Sequence, residues 1–214
     1  MRRLLSIIIS LITVMAFAQQ PVESTSNESD PMLRIGKSYL GTRYVANTLD
    51  RNEVEQLVIN TKEVDCLTFV EYTLAQALGS SFADNLQRIR YRDGIINGYP
   101  SRLHYTSENV TQMAEYEKAL SGKTVSWLPK SELPENGLPW IMNGDIIAIT
   151  TKLPGLDIAH VGIAYYVNGK LHLLHASSTL GKVVVSEKPF NHMLNNNKSW
   201  TGIRVVRMSH SKNN

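Results

Sequence analysis

Asn168-Gly169 stands between two apolar, strand-like runs, His160 to Tyr166 and Lys170 to Ser177. Both central positions of a tight hairpin turn need positive φ, which Asn-Gly accepts, so the dipeptide closes an antiparallel pair. The short loop also sets the register. A turn centred between 168 and 169 puts residue 160 nearly opposite 177, with 175 diagonal to it on the same face. Further strand runs occupy Asp145 to Thr150, Val183 to Ser186 and Ile203 to Met208. The first half reads differently. Leu33, Ile35, Tyr39 and Leu40 have roughly helical spacing that stops at Gly41. Cys66, Phe69, Val70, Leu74 and Leu78 recur at helical spacing after Asp65 and end at Gly79. Phe82 to Arg92 is a third helix with Leu86 and Ile89 inward, and residues 108–121 a fourth. Leu57-Val58-Ile59 reads as a short strand. Residues 91–105 form a turn-rich loop, and 129–143, with three prolines, an ordered one. Helices first and a strand meander after them predict an α+β fold on an antiparallel sheet.

The chain has 214 residues, and its long apolar run lies at the start. Met1-Arg2-Arg3 is a positive n-region, Leu4 to Ala18 carries no charge, and Ala16-Phe17-Ala18 is a small-x-small cleavage site. Residues 1–18 therefore read as a secretory signal peptide, too short to span a bilayer comfortably. No Cys lies near the cleavage site, so a lipoprotein anchor is excluded, and the expectation is a periplasmic or extracellular protein without a membrane anchor. Residues 19–31 (QQPVESTSNESDP) read as a solvated linker, 32–208 as one folded domain and 209–214 as a polar tail. Cleavage after residue 18 leaves 20 basic against 19 acidic residues, a net of +1. That balance gives no argument for nucleic acid or an anionic surface.

Cys66 is the one cysteine. It cannot form an internal disulfide or build a cysteine-rich zinc site. It is a small buried hydrophobe, an odd thiol, or a nucleophile. Asp65 is a good N-cap, which places Cys66 in the first turn of its helix. Unpaired amides and the positive end of the helix favour a thiolate there, and the Cys66 amide can face an oxyanion forming beside its own sulfur. A base must come from elsewhere, and six histidines are present: 104, 160, 172, 175, 192 and 210. His160 begins a strand, and strand parity puts His175 on its face and His172 on the other. Cys66, His160 and His175 are thus candidates for a thiol–imidazole site; the alternative is a pair of structural histidines in a sheet.

Asp65-Cys66, His160-Val161-Gly162-Ile163 and His175-Ala176-Ser177 resemble the DC…HVGI…HA signature of the NlpC-type papain-like cell-wall hydrolases. Leu40-Gly41-Thr42-Arg43-Tyr44 resembles the motif that brings a Tyr to the active site in that superfamily. More narrowly, VDCLTFVE (64–71), IRYRDGIINGYPSRLHY (89–105), NGDIIAITT (143–151), PGLDIAHVGIA (154–164) and KLHLLHASS (170–178) resemble the AmiA-like N-acetylmuramoyl-L-alanine amidases. The likeness runs from about residue 33 to 207. It implies a papain-like fold, with helices packed on an antiparallel sheet or half-barrel. It implies Cys66 as nucleophile, His160 as general base and acid, His175 as the orienting residue and Tyr44 beside the thiol. Arg102, His104 and Tyr105 would line the substrate cleft, or else pin a loop. The substrate implied is peptidoglycan or its muropeptide fragments, acted on by a monomer without metal or organic cofactor.

Two features depart from the family pattern. Leu67 stands where related endopeptidases often carry a Ser that, with the preceding Asp (here Asp65), anchors a free amine. The stretch between Tyr105 and Asn143 is shorter than usual. Cleavage of the bond between the lactyl group of N-acetylmuramic acid and L-Ala is the leading expectation. The alternatives are an endopeptidase of the same fold cutting L-Ala–γ-D-Glu or γ-D-Glu–diaminopimelate, a wall-binding module without catalysis, and an acyltransferase of papain-like ancestry.

Overall fold

The computed structural model describes residues 30–103 and 126–208. The expected signal peptide, most of the linker, His104, Tyr105, the expected helix over 108–121, His210 and the tail lie outside the described residues. Asp30 and Pro31, the end of the expected linker, already belong to the fold. Asp30 caps α1 (Pro31–Ser38) by accepting from the Leu33 amide at 3.1 Å.

The helices fall where the apolar spacing puts them. α2 spans Cys66–Ala77 and α3 spans Phe82–Arg90, capped by Asp65 and Ser81. A capping box fixes the start of α2: Asp65 Oδ1 accepts from the Thr68 amide at 2.8 Å, and Thr68 Oγ1 accepts from the Asp65 amide at 2.9 Å. A late helix absent from the sequence reading, α4 (Phe190–Asn196), buries Phe190 and Leu194.

Eight strands form one sheet: β1 (Arg43–Tyr44), β2 (Glu63–Val64), β3 (Leu128–Pro129), β4 (Ile146–Thr151), β5 (Ile158–Val167), β6 (Lys170–Ser177), β7 (Lys182–Val185) and β8 (Trp200–Val206). Their order is β2-β1-β7-β6-β5-β4-β8-β3, and every neighbouring pair is antiparallel except β1–β2. The fold is α+β, as expected. Asn168 and Gly169 have φ of 49° and 75°, and the hairpin runs from Val167↔Lys170 to Ile163↔Leu174 in the expected register. A bulge shifts β4 against β5 between Ile149 and Thr150.

The core has two layers, because the central strands are covered on both faces. Met32, Leu33, Phe69, Tyr72 and Leu86 from the helices pack with Ile163, Leu174 and Val183. On the other face Ile147, Ile149, Leu171 and Leu173 pack with Phe190, Leu194 and Ile203. Each fully buried aliphatic or aromatic side chain is worth about 1.5–3 kcal/mol, so burial on β5 and β6 outweighs any single turn or cap in holding the register.

Residues 57–59 make no ladder. Their stretch is extended, but side chains take its backbone groups instead. The Gln56 carbonyl accepts from the Tyr91 hydroxyl at 2.9 Å and the Val58 carbonyl from Arg90 at 2.7 Å, while the Asn60 amide donates to the Tyr72 hydroxyl at 3.0 Å. An apolar run of three residues has the composition of a strand, but pairing needs a partner edge, and here helix-borne side chains satisfy the backbone.

Candidate active site

Cys66 is the first residue of α2 and is partly buried on the wall of a cavity of about 330 Å³. Tyr44, Asp65, Leu67, Arg102 and His160 line the same cavity. Tyr44 comes from the short strand β1, which is held against β7 and β2. Its phenol is pushed above the usual tyrosine range by burial and by the nearby Cys66 and Asp65, which places all three in one neighbourhood.

The two histidines meet as strand parity predicts. His160 Nε2 lies 2.8 Å from His175 Nδ1, and the rings cross edge to face. The hairpin register puts residue 175 opposite Gly162, two residues along β5 from His160. A Cβ at position 162 would come within 2.9 Å of both Leu173 Cγ and the Leu174 carbonyl, so glycine there lets β6 approach closely. His172 faces away from the pair. Its Nδ1 is 2.7 Å from the Ser186 carbonyl.

Burial governs the protonation of this group. Backbone groups of Val161 on β5, and of Cys66 and Leu67 at the helix start, act to pull the thiol down. Burial, with the Asp65 carboxylate, outweighs them and pushes the thiol up to about 11. Burial first and His175 second push His160 down to about 3, and burial pushes His175 down to about 4. At neutral pH the resting pair is thiol and neutral imidazole, where the sequence reading expected a thiolate favoured by the helix start.

Asp65 has its Oδ1 engaged by the amides of Leu67 and Thr68 and by the Thr68 hydroxyl. Arg102 lines the cavity but is held fast. Its Nε and one terminal nitrogen bind Glu55 at 2.9 and 2.8 Å, the other terminal nitrogen binds Asp50 at 2.6 Å, and the Leu49 carbonyl accepts at 3.1 Å. It also lies over the Tyr99 ring, 4.6 Å from the centroid. The sequence left Arg102 between cleft wall and loop pin. The geometry makes it a pin that also forms wall.

Trp200, at the start of β8, escaped the sequence reading. It stacks on His160 with centroids 6.0 Å apart and planes at 9°. Only the β4–β8 pairing brings it there, with Thr151 opposite Trp200, so no local pattern announces it. Among the described residues no group of three or more His, Cys, Asp or Glu could hold a metal ion, and no helix is long and apolar enough to cross a membrane.

Residues 34–119 and 107–203 match the model of the N-acetylmuramoyl-L-alanine amidase-like (AmiA-like) family. The chain belongs to that family. Among solved structures, this amidase-like chain is similar to an N-acetylmuramoyl-L-alanine amidase from Bacteroides uniformis, with 47% identity and a TM-score of 0.80 over 84% of this chain and 98% of that one. A Bacteroides fragilis protein named provisionally as a xylanase is 48% identical, with a TM-score of 0.78 over 82% of this chain and 100% of that one. A Legionella pneumophila protein at 19% identity shares the fold, with a TM-score of 0.58 over 85% and 89% of the two chains. No curated protein matches the chain.

Proposed function

We propose that this amidase-like chain is an exported peptidoglycan hydrolase that cleaves the amide between the lactyl group of N-acetylmuramic acid and L-Ala, with Cys66 as nucleophile. The observation that carries the reading is the buried His160–His175 pair at 2.8 Å beside a cavity that also holds a helix-start thiol. With Nε2 of His160 engaged by His175, Nδ1 is the ring nitrogen left to take a proton. His175 then accepts at Nδ1 and fixes the tautomer that makes His160 a base.

The reaction starts from a neutral pair, so proton transfer accompanies attack. Cys66 Sγ bonds to the lactyl carbonyl carbon as its proton passes to His160. The oxyanion lies against the Cys66 amide, with Tyr44 beside it. As the tetrahedral intermediate collapses, the C–N bond breaks and His160 returns the proton to the departing L-Ala nitrogen. Water then gives a proton to His160 and attacks the thioester. The lactyl acid leaves, and the thiol is restored. The scheme uses the chain's own groups and needs no cofactor. The substrate is a muropeptide or the wall itself, met outside the cytoplasm by a monomer.

Leu67 favours this bond over an endopeptidase cut. Its side chain lines the cavity where an amine anchor would need a hydrogen-bonding group, and Asp65 Oδ1 is already spent on the helix cap. Glycoside cleavage, which the name of the Bacteroides fragilis relative suggests, needs two carboxylates poised on a sugar bond. The two in this cavity, Asp50 and Asp65, are tied to Arg102 and to the cap.

The test is a digest of a disaccharide-tetrapeptide and of the free tetrapeptide, read by mass spectrometry. Intact tetrapeptide released from the first, with the second untouched, supports the proposal. Free L-Ala or a dipeptide from the second at an equal rate overturns it in favour of an endopeptidase.

A further inference from the structure

Trp200 lies against His160 because the sheet is irregular at that point. On β8, Ile203 faces the core layer formed with Ile147, Ile149 and Leu173. Strict alternation would turn residue 200, three places away, to the opposite face. The β4–β8 ladder slips instead. Thr150 pairs with Gly202 and Thr151 with Trp200, so Thr201 is an extra residue on β8. A slip of one residue returns Trp200 to the face of Ile203. β4 slips against β5 beside it, where Ile149 pairs with His160 and Thr150 with Ile158. Ile149 is the common neighbour, opposite His160 on one side and Ile203 on the other. The imidazole and the indole are left on one face, with planes at 9° and centroids 6.0 Å apart.

The turn before Trp200 is bonded in place. The Ser199 carbonyl accepts from the Lys152 amide and from the Thr151 hydroxyl, each at 3.0 Å. The Ser199 amide and hydroxyl donate to Asn197 Oδ1 at 2.9 and 2.8 Å. Lys130 Nζ donates to the Asn197 carbonyl at 3.0 Å. The indole therefore projects from a fixed backbone.

His160 borders two cavities. One is the thiol cavity. The other, of about 470 Å³, is lined by His160, His175 and Trp200 and by polar groups that include Ser177, Ser186 and Lys188. A polar cavity of that size has room for water. Water there competes for both ends of the 2.8 Å bond between the two rings, the bond that fixes which nitrogen of His160 takes the thiol proton. Yet His175 is only 7% exposed. Trp200 is the large apolar side chain of this lining, and near-parallel rings in contact at its spacing form an offset stack. Such a stack limits how far the imidazole can turn and screens it from the cavity. In the lower local dielectric that results, the bond between the histidines is stronger.

We infer that Trp200 is a positioning residue, which holds the His160 ring in plane and keeps water off its hydrogen bond to His175. The kinetic arm of the test rests on the amidase reading, and the spectroscopic arm does not. Measure kcat and KM on a disaccharide-tetrapeptide for wild type, Trp200→Phe, Trp200→Leu and Trp200→Ala, and check each fold by thermal unfolding. In parallel, record the downfield proton NMR signal of the imidazole N–H shared by the pair, assigned by its absence from His175→Ala. Loss of the ring should lower kcat by about tenfold, a part of the acid–base contribution. KM should stay within about twofold, because the indole acts through His160. Trp200→Phe should keep most of kcat. The N–H signal should be sharp in wild type and Trp200→Phe, weaker in Trp200→Leu and lost to water exchange in Trp200→Ala. A raised KM with kcat and the signal unchanged makes Trp200 a substrate contact and overturns the inference. So do a signal that survives in Trp200→Ala, a signal absent from wild type, and losses that only follow lowered stability in Phe, Leu and Ala alike. If Trp200→Ala does not fold, Trp200→Leu decides, since it keeps the packing without the plane, and a wild-type kcat or signal there overturns the inference. If wild type cleaves no muropeptide, the amidase reading fails and the N–H signal decides alone.

Discussion

Replacing His175 by Asn should remove about half of the acid sensitivity that the buried His160–His175 pair gives the fold. Asn keeps an acceptor where Nδ1 of His175 stands, so the hydrogen bond from His160 survives while one titrating group disappears. In the folded protein His160 and His175 are pushed down to about 3 and about 4, from an ordinary 6.5. Both are therefore neutral in the fold at pH 5 and charged in the unfolded chain. The unfolded state takes up the protons as the pH falls below 6.5, so stability drops with acid and rises again toward neutrality. Between pH 7 and pH 5 each such group costs about 2 kcal/mol, so the pair costs about 4 and the His175→Asn variant about 2. Urea unfolding of both proteins at the two pH values, at 25 °C, measures the difference of differences and cancels the carboxylates they share. Parallel losses in wild type and variant would mean that His175 is not a buried neutral group, and the protonation scheme for His160 would fall with it.

Cys66→Ala should abolish hydrolysis and leave the unfolding midpoint nearly unchanged, while thiol alkylation inactivates the wild type and EDTA does not; turnover by Cys66→Ala would end the thiol mechanism. His172→Ala should keep kcat but lose about 1–3 kcal/mol of stability, because its buried bond to the Ser186 carbonyl is lost; a fall in kcat like that of His175→Ala would contradict the strand parity. Arg102→Ala should destabilise by about 3–5 kcal/mol, since it leaves Glu55 buried without its partner. Arg102→Lys should recover only part of that, as a single ammonium cannot reproduce the fork on Glu55, and thermal unfolding of the two variants would show whether the loop pin is the main role.

What the sequence determined was set by local rules. Asn168-Gly169 needs no partner to choose its turn, and the period of two then puts His175, not His172, on the face of His160. Asp65 followed by Thr68 caps a helix by short-range bonds, so the position of Cys66 at its start was legible from four residues. Tertiary structure decided the rest, because the deciding terms come from residues far apart in the chain. The extended run at 57–59 and its flanks bond to side chains of Tyr72, Arg90 and Tyr91, so it never joins the sheet. Arg102 is bound by Asp50 and Glu55, about fifty residues away, and those bonds make it a pin. Trp200 reaches His160 only across β4. The charge state of the site also lies beyond local reading: the helix start favours a thiolate over one turn, but burial by strands and helices together removes more solvation than three backbone bonds return.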